Sequence, residues 1–261
     1  MNIATAVSAQ AALPRDITLR EWWFDPASWT APTGILPSLA DTLLLCAAVM
    51  LTAFLLAVPS AAALAHFGRA PVIGAWLVNL GRAIPTFALA ALLVPVSLRA
   101  GYGFEPWPIF AALTLMALPP MYLGTYTAIR QVDRGAVDAA RAMGLREVAI
   151  LARVEVPLGL NMILTGVRIS AVQVVATEPI RAFLGGNGLG RYVRDGLGQR
   201  NTTLLLGGAM LVAVLAGSVS TTFALLQRLI EPAGVRRLRA TVRAASTIVP
   251  EEYTAKPRGP S

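Results

Sequence analysis

Asp138-Ala139-Ala140-Arg141-Ala142-Met143-Gly144, with Val154-Glu155-Val156-Pro157 beginning ten residues after Gly144, reads as a short charged helix–turn–helix. Long apolar segments flank it on both sides. A polar island of this kind, set between membrane-crossing stretches, lies in water. There it meets either solvent alone or a partner of complementary charge.

The surrounding composition is that of a bilayer protein. Of 261 residues, 56% are apolar and 14% charged, where a soluble domain carries about 25% charged residues. One cysteine, Cys46, excludes a disulfide framework, and one histidine, His66, argues against a His-ligated metal. No metal or cofactor is expected. Arginine dominates the basic set, Lys256 being the only lysine, and no Gly-x4-Gly-Lys-Ser/Thr phosphate cradle exists. Any ATP used with this chain is therefore bound elsewhere. The net charge of +8 fits membrane topology better than nucleic-acid binding, because the bases do not gather on an aromatic-bearing soluble domain.

A helix needs about 20 apolar residues to cross the hydrocarbon core. Five segments qualify or nearly qualify: 42–65, kinked by Pro59; 83–98, short and starting near Ile84 after an amphipathic lead-in at 71–80; 106–129, broken by Pro119-Pro120; 156–177, with Arg168 near its middle; and 202–227. Residues 35–230 are expected to form one transmembrane domain. The leader, 1–34, is not a secretory signal, since it lacks a basic start, and its Glu21-Trp22-Trp23-Phe24 cluster suits an interfacial anchor. The basic tail, 231–261, is expected to be largely disordered and suited to anionic lipid. Placing the 130–155 loop and the tail on one side puts fourteen bases there against seven opposite. By the positive-inside rule the N-terminus is outside and the C-terminus cytoplasmic.

Within the loop, residues 137–143 favour a helix, Gly144 suits a left-handed helix end, and a second helical stretch, 146–154, runs to Pro157. The small side chains of Ala139, Ala140 and Ala142 permit close approach. Asp138 offers a charge to a basic partner. From these residues alone, a docking loop and a plain solvated loop fit equally.

The pattern resembles the loop of bacterial ABC-importer permeases that reads Glu-Ala-Ala, three residues, Gly, nine residues, Ile-x-Leu-Pro. Asp138 stands for Glu, while Val154 and Val156 stand for Ile and Leu before Pro157; every spacing fits. Three further runs are similar to the family's osmoprotectant branch, which carries glycine betaine, choline, carnitine and proline. They are Arg82-Ala83-Ile84-Pro85-Thr86; Gly166-Val167-Arg168-Ile169 with Val172-Gln173-Val174; and Ala182-Phe183-Leu184-Gly185-Gly186-Asn187-Gly188-Leu189-Gly190.

The resemblance implies an all-α membrane protein, a five-span type I permease bundle like that of methionine importers. It also implies a place in the bacterial cytoplasmic (inner) membrane. The implied partners are ABC ATPase subunits docked on Asp138, Ala139, Ala140, Gly144, Val154, Val156 and Pro157, a second permease chain of the same or a related kind, and an extracytoplasmic solute-binding protein. The chain itself would perform no bond chemistry. Its rivals are a permease for another small solute such as methionine, and an ATPase-independent channel or secondary carrier.

Among pathway or gate candidates, Arg168 would cost about 2.5–3.5 kcal/mol at a helix centre. It is expected to lock onto a structural partner rather than contact solute. Gln173 shares its helix. Glu178 has three readings: pairing with Arg181, contact with a cationic solute, or a place at the outer membrane surface, the last being preferred. Gly185, Gly188 and Gly190 form a hinge or tight turn, which the resemblance puts near the outer gate. Trp76 and Trp107 read as interfacial anchors, Cys46 as a small buried residue, His66 as a helix-end residue and the methionines as ordinary packing.

Overall fold

A computed structural model describes residues 18–68, 85–103 and 106–230. The lead-in expected at 71–80, Trp76 and the tail lie outside the described residues. Every regular element among the described residues is helical. In chain order these are α1 (Leu19–Phe24), α2 (Pro26–Thr30), α3 (Ile35–His66), α4 (Thr86–Arg99), α5 (Trp107–Arg130), α6 (Arg134–Ala142), α7 (Glu147–Ile150), α8 (Val156–Thr177), α9 (Gly190–Gln199) and α10 (Thr202–Ile230). A π turn (Leu151–Glu155) joins α7 to α8, and a 3-10 segment (Glu178–Leu184) follows α8.

Among the described residues, four helical stretches are long and apolar enough to cross a bilayer: Pro26–His66, Trp107–Arg130, Glu147–Leu184 and Thr202–Ile230. The segment expected at 83–98 is α4, which starts at Thr86 directly after Pro85 and has 14 residues. At about 1.5 Å per residue it reaches only about 21 Å. It is the short member of the set.

The bundle is built around α3, α5 and α8. Val49, Ala53, Ala57 and Ala61 recur every fourth residue and form one buried stripe on α3. That stripe packs on Ile109, Leu113, Ala117 and Met121 of α5, with Val167 and Val174 of α8 closing the core. Lipid tails are as apolar as leucine, so helices in a bilayer associate through close packing and hydrogen bonds, which small side chains permit. α5 and α8 cross closely where Gly124 meets Gly166: a Cβ on Gly166 would lie 2.7 Å from the Pro120 carbonyl oxygen. Next to this crossing, Ser170 Oγ donates to the Ala117 carbonyl (2.8 Å). Gly166→Val is therefore expected to separate α5 from α8 and destabilise the fold by about 2 kcal/mol, read as a lower melting point in detergent.

Pro157 shapes the join between loop and span. Proline lacks an N–H and its ring clashes with the carbonyl four residues earlier. The chain widens into the π turn just before it, where the Val156 N–H reaches back to the Leu151 carbonyl. The loop's second helix and the span thus form one continuous rod, Glu147–Leu184.

The aromatic cluster of the leader differs from the interfacial anchor expected. Trp22 is 1% exposed and packs in a second core with Ile35, Leu189, Tyr192, Leu204 and Leu211. Its ring lies edge-on to Tyr192, centroids 5.5 Å apart, and fills the space left open at Gly207. Of the cluster's three aromatic rings only that of Phe24 is largely exposed. A capping box, in which Glu21 N–H donates to Thr18 Oγ1 (3.3 Å) and Thr18 N–H to Glu21 Oε2 (2.9 Å), starts α1. The Thr18 N–H and, after it, the Thr18 hydroxyl (2.9 Å), both donating to Glu21 Oε2, hold the Glu21 carboxyl below its ordinary pKa.

Candidate docking loop and outer gate

The polar island folds as two short helices. Asp133 caps α6, its Oδ2 accepting from the Ala136 N–H (3.3 Å). Gly144 ends it at φ 81°. The Gly144 N–H bonds the Arg141 carbonyl (3.0 Å) and the Leu145 N–H the Ala140 carbonyl (3.3 Å), so a left-handed residue satisfies the last carbonyls of the helix. Asp133→Ala is expected to cost about 1 kcal/mol of local stability, seen as faster hydrogen exchange across residues 134–142.

This fold sorts the motif by face. Ala140 is 2% exposed and turned inward, while Asp138, Ala139 and Gly144 are exposed. Val154 and Val156 are half-buried and Pro157 is exposed. Arg141 holds the two helices together: its Nε donates to Glu147 Oε1 (2.7 Å), its Nη2 to Glu147 Oε2 (3.0 Å) and its Nη1 to Asp138 Oδ1 (3.0 Å). Hydrogen bonding to Glu147, then its charge, raises the Arg141 pKa above its ordinary value. Met143 (74%) and Val148 (73%) are exposed on the same loop. Met143 is thus a surface residue rather than the core packing expected of the methionines.

At the opposite end of α3, a buried polar cluster holds the glycine-rich loop. Glu178 is fully buried within the protein, and of its three sequence readings the approach to Arg181 is the one the structure shows. Thr42 Oγ1 donates to its Oε2 (3.2 Å) and accepts from the Leu189 N–H (2.9 Å). Arg181 Nη1 lies 3.5 Å from Glu178 Oε1, and Arg181 Nη2 lies 3.2 Å from Asp41 Oδ2. The helix turns into a 3-10 segment at Glu178-Pro179 and folds the carboxylate inward, because a buried charge requires partners. Gly185 (φ 91°) and Gly188 (φ 93°) make the loop's turns. A Cβ on Gly188 would press on Glu178 Oε1 and Thr42 Oγ1, each at 2.7 Å. Gly190 starts α9 against the Pro179 backbone.

The remaining candidates lie apart. Arg168 is half-buried and its Nη2 donates to Ser220 Oγ of α10 (2.8 Å). Below it, Gln227 Nε2 donates to Thr165 Oγ1 (2.9 Å) and to the Asn161 carbonyl (3.3 Å). These polar contacts stitch α10 to α8. Gln173 is exposed and lines a cavity of about 430 Å³ with Met116, Pro119, Leu123, Thr165 and Ile169.

The family described as binding-protein-dependent transport system inner membrane component matches residues 53–234. The chain belongs to that family. It is a multi-pass membrane subunit of a transport system. Among relatives, the permease is 31% identical over 168 residues to the carnitine transport permease protein OpuCB of Listeria monocytogenes, covering 64% of this chain and 74% of that one. It is 31% identical over 192 residues to the choline transport system permease protein OpuBD of Bacillus subtilis, covering 73% and 83%. The osmoprotectant import permease protein OsmW of Salmonella typhimurium is 31% identical over 166 residues, with 64% and 76% covered. The solved structure of the inward-facing MetNI methionine ABC transporter superposes with a TM-score of 0.66 at 20% identity, covering 76% of the permease and 96% of that chain. The bundle is thus of the methionine-importer-permease type.

The contacts of His66 with Glu155 (Nδ1–Oε2, 2.6 Å) and Glu147 (Nε2–Oε2, 3.0 Å) and the burial of Trp22 and Glu178 were missed by sequence reasoning. Each depends on a residue far along the chain, and no local pattern marks it.

Proposed function

We propose that this permease carries small quaternary-amine osmoprotectants of the glycine betaine, choline and carnitine class inward. It is driven by separate ABC ATPase subunits and supplied by an extracytoplasmic binding protein. Two permease chains, identical or related, enclose the path. Asp138, Ala139 and Gly144 with Met143 and Val148 form the ATPase-docking face, on the cytoplasmic side with the C-terminus. The Gly185–Gly190 loop faces the binding protein, and Gln173 lines the path.

The observation that carries this reading is the docking loop: a family-spaced motif whose Asp138, Ala139 and Gly144 are exposed, beside the exposed Met143 and Val148. The solute class rests on the named activities of the carnitine, choline and osmoprotectant relatives. Uptake of radiolabelled choline, carnitine and glycine betaine into vesicles containing the chain, its cognate ATPase and its binding protein tests both. ATP-dependent uptake competed by these amines and not by methionine is the expected result. Uptake without ATPase would favour a channel or secondary carrier.

A further inference from the structure

One imidazole joins the docking loop to the first span. His66 is the last residue of α3 and its side chain is 3% exposed. Its Nδ1 lies 2.6 Å from Oε2 of Glu155, in the π turn, and its Nε2 lies 3.0 Å from Oε2 of Glu147, at the start of α7. Glu147 in turn receives Arg141, and Arg141 donates to Asp138. An unbroken ladder of polar contacts therefore runs Asp138–Arg141–Glu147–His66–Glu155, from the exposed docking face to the end of α3. The Phe67 ring lies edge-on to the imidazole, centroids 4.9 Å apart.

An apolar cluster lies beside the ladder. Ala62, Ala65 and Ile129 form a small apolar cluster with Tyr126, Leu151 and Val156 around it. Apolar packing is non-directional and lets helices slide over one another. Hydrogen bonds weaken steeply away from linear geometry, so the ladder resists sliding. At its other end α3 is gripped again, where Asp41 and Thr42 meet Arg181, Glu178 and Leu189 beside the glycine loop. α3 runs as one helix through Pro59, and from Thr42 to His66 it rises about 36 Å, more than the roughly 30 Å of the hydrocarbon core.

We infer that His66 is a positioning residue that makes α3 a push rod, carrying displacement of the docking loop across the membrane to the glycine-rich loop. The inference rests on the docking reading above. When the ATPase moves α6 and α7, the two carboxylates drag His66, α3 shifts along its axis, and Asp41 and Thr42 move the Glu178–Arg181 cluster with them. Residue 155 falls at the open position of the Val-x-Val-Pro pattern and residue 147 lies outside the motif.

The test uses the full importer, chain with cognate ATPase and binding protein, in vesicles. For His66→Ala the ATPase is expected to co-purify at the level of the unaltered chain and to hydrolyse ATP, while solute imported per ATP falls about tenfold. His66→Gln, whose amide N–H donates to one carboxylate, is expected to restore most of the ratio. In a Cys46→Ala background with His66 intact, spin labels on Ser60→Cys and Ala152→Cys, both exposed positions outside the docking face, should keep one distance with and without ATP. In His66→Ala that distance should change with ATP.

An unchanged transport ratio in His66→Ala would overturn the inference. So would loss of ATPase from that variant with normal insertion, because His66 would then only build the docking face. If His66→Ala fails to insert, the label pair in the His66 background decides, and a distance that shifts with ATP there overturns the rod. A preparation in which even the unaltered chain retains no ATPase overturns the docking reading itself, and this inference with it.

Discussion

Gly144→Pro is expected to strip the ATPase from the purified complex while leaving the chain in the membrane. Gly144 sits at φ 81° with its N–H bonded to the Arg141 carbonyl. Proline fixes φ near about −65° and has no N–H to give. The turn between α6 and α7 must then reopen, Arg141 leaves Glu147, and the face made by Asp138, Met143 and Val148 is dispersed. A penalty of about 3 kcal/mol lowers ATPase retention about a hundredfold. Gly144→Ala separates conformation from bulk. Nothing lies within 4 Å of a Cβ at this position, so the cost is the left-handed backbone alone, about 1–2 kcal/mol, and part of the ATPase stays bound. Quantitative co-purification from detergent, alongside a protease-protection assay for insertion, reads both variants. Full retention in Gly144→Pro would remove the loop from the coupling route.

Glu178→Ala is expected to unseat the glycine-rich loop and lower the melting point by about 10 °C. The carboxylate is fully buried, accepts from Thr42 and faces Arg181, itself 5% exposed. Removing one member of a buried ion pair costs about 3–5 kcal/mol, because the partner charge stays behind in a medium that solvates it poorly. Thr42 loses its acceptor and so its fixed orientation toward the Leu189 N–H. Glu178→Gln keeps an acceptor oxygen for Thr42 and is expected to lose less. Melting in detergent measures the first effect; accessibility of a cysteine placed at Asn187, exposed on the loop, measures the second. An unaltered melting point in Glu178→Ala would show that the cluster is not a structural clasp.

What could be read from the chain in advance divides by distance along it. Helix α8 runs from Val156 to Thr177, as expected, because Pro157 and the Glu178-Pro179 step are local signals that mark its ends. Gly144 ends α6 for a reason contained in one residue. Helix α6 begins at Arg134, three residues before the expected start, since Asp133 is a strong cap that went unweighed. Trp22 and Glu178 were misplaced for a shared reason. A tryptophan beside charges, or a glutamate beside a proline at a helix end, resembles a surface group until its partner is known. For Trp22 the partner is the bare backbone at Gly207, and for Glu178 it is Thr42. Arg168 was expected to need a structural partner, but sequence could not say that Ser220 would supply it.

The bond between Arg168 and Ser220 has a consequence for how this protein is made. Ser220 lies 52 residues after Arg168, and a ribosome adding about 5–20 residues per second delivers it seconds later. In that interval the guanidinium of α8 has no α10 to meet, and hydrocarbon would charge it the full cost of solitude. Insertion of α8 ahead of α10 therefore carries a cost of about 2.5–3.5 kcal/mol, which the bond to Ser220 offsets once α10 is in place.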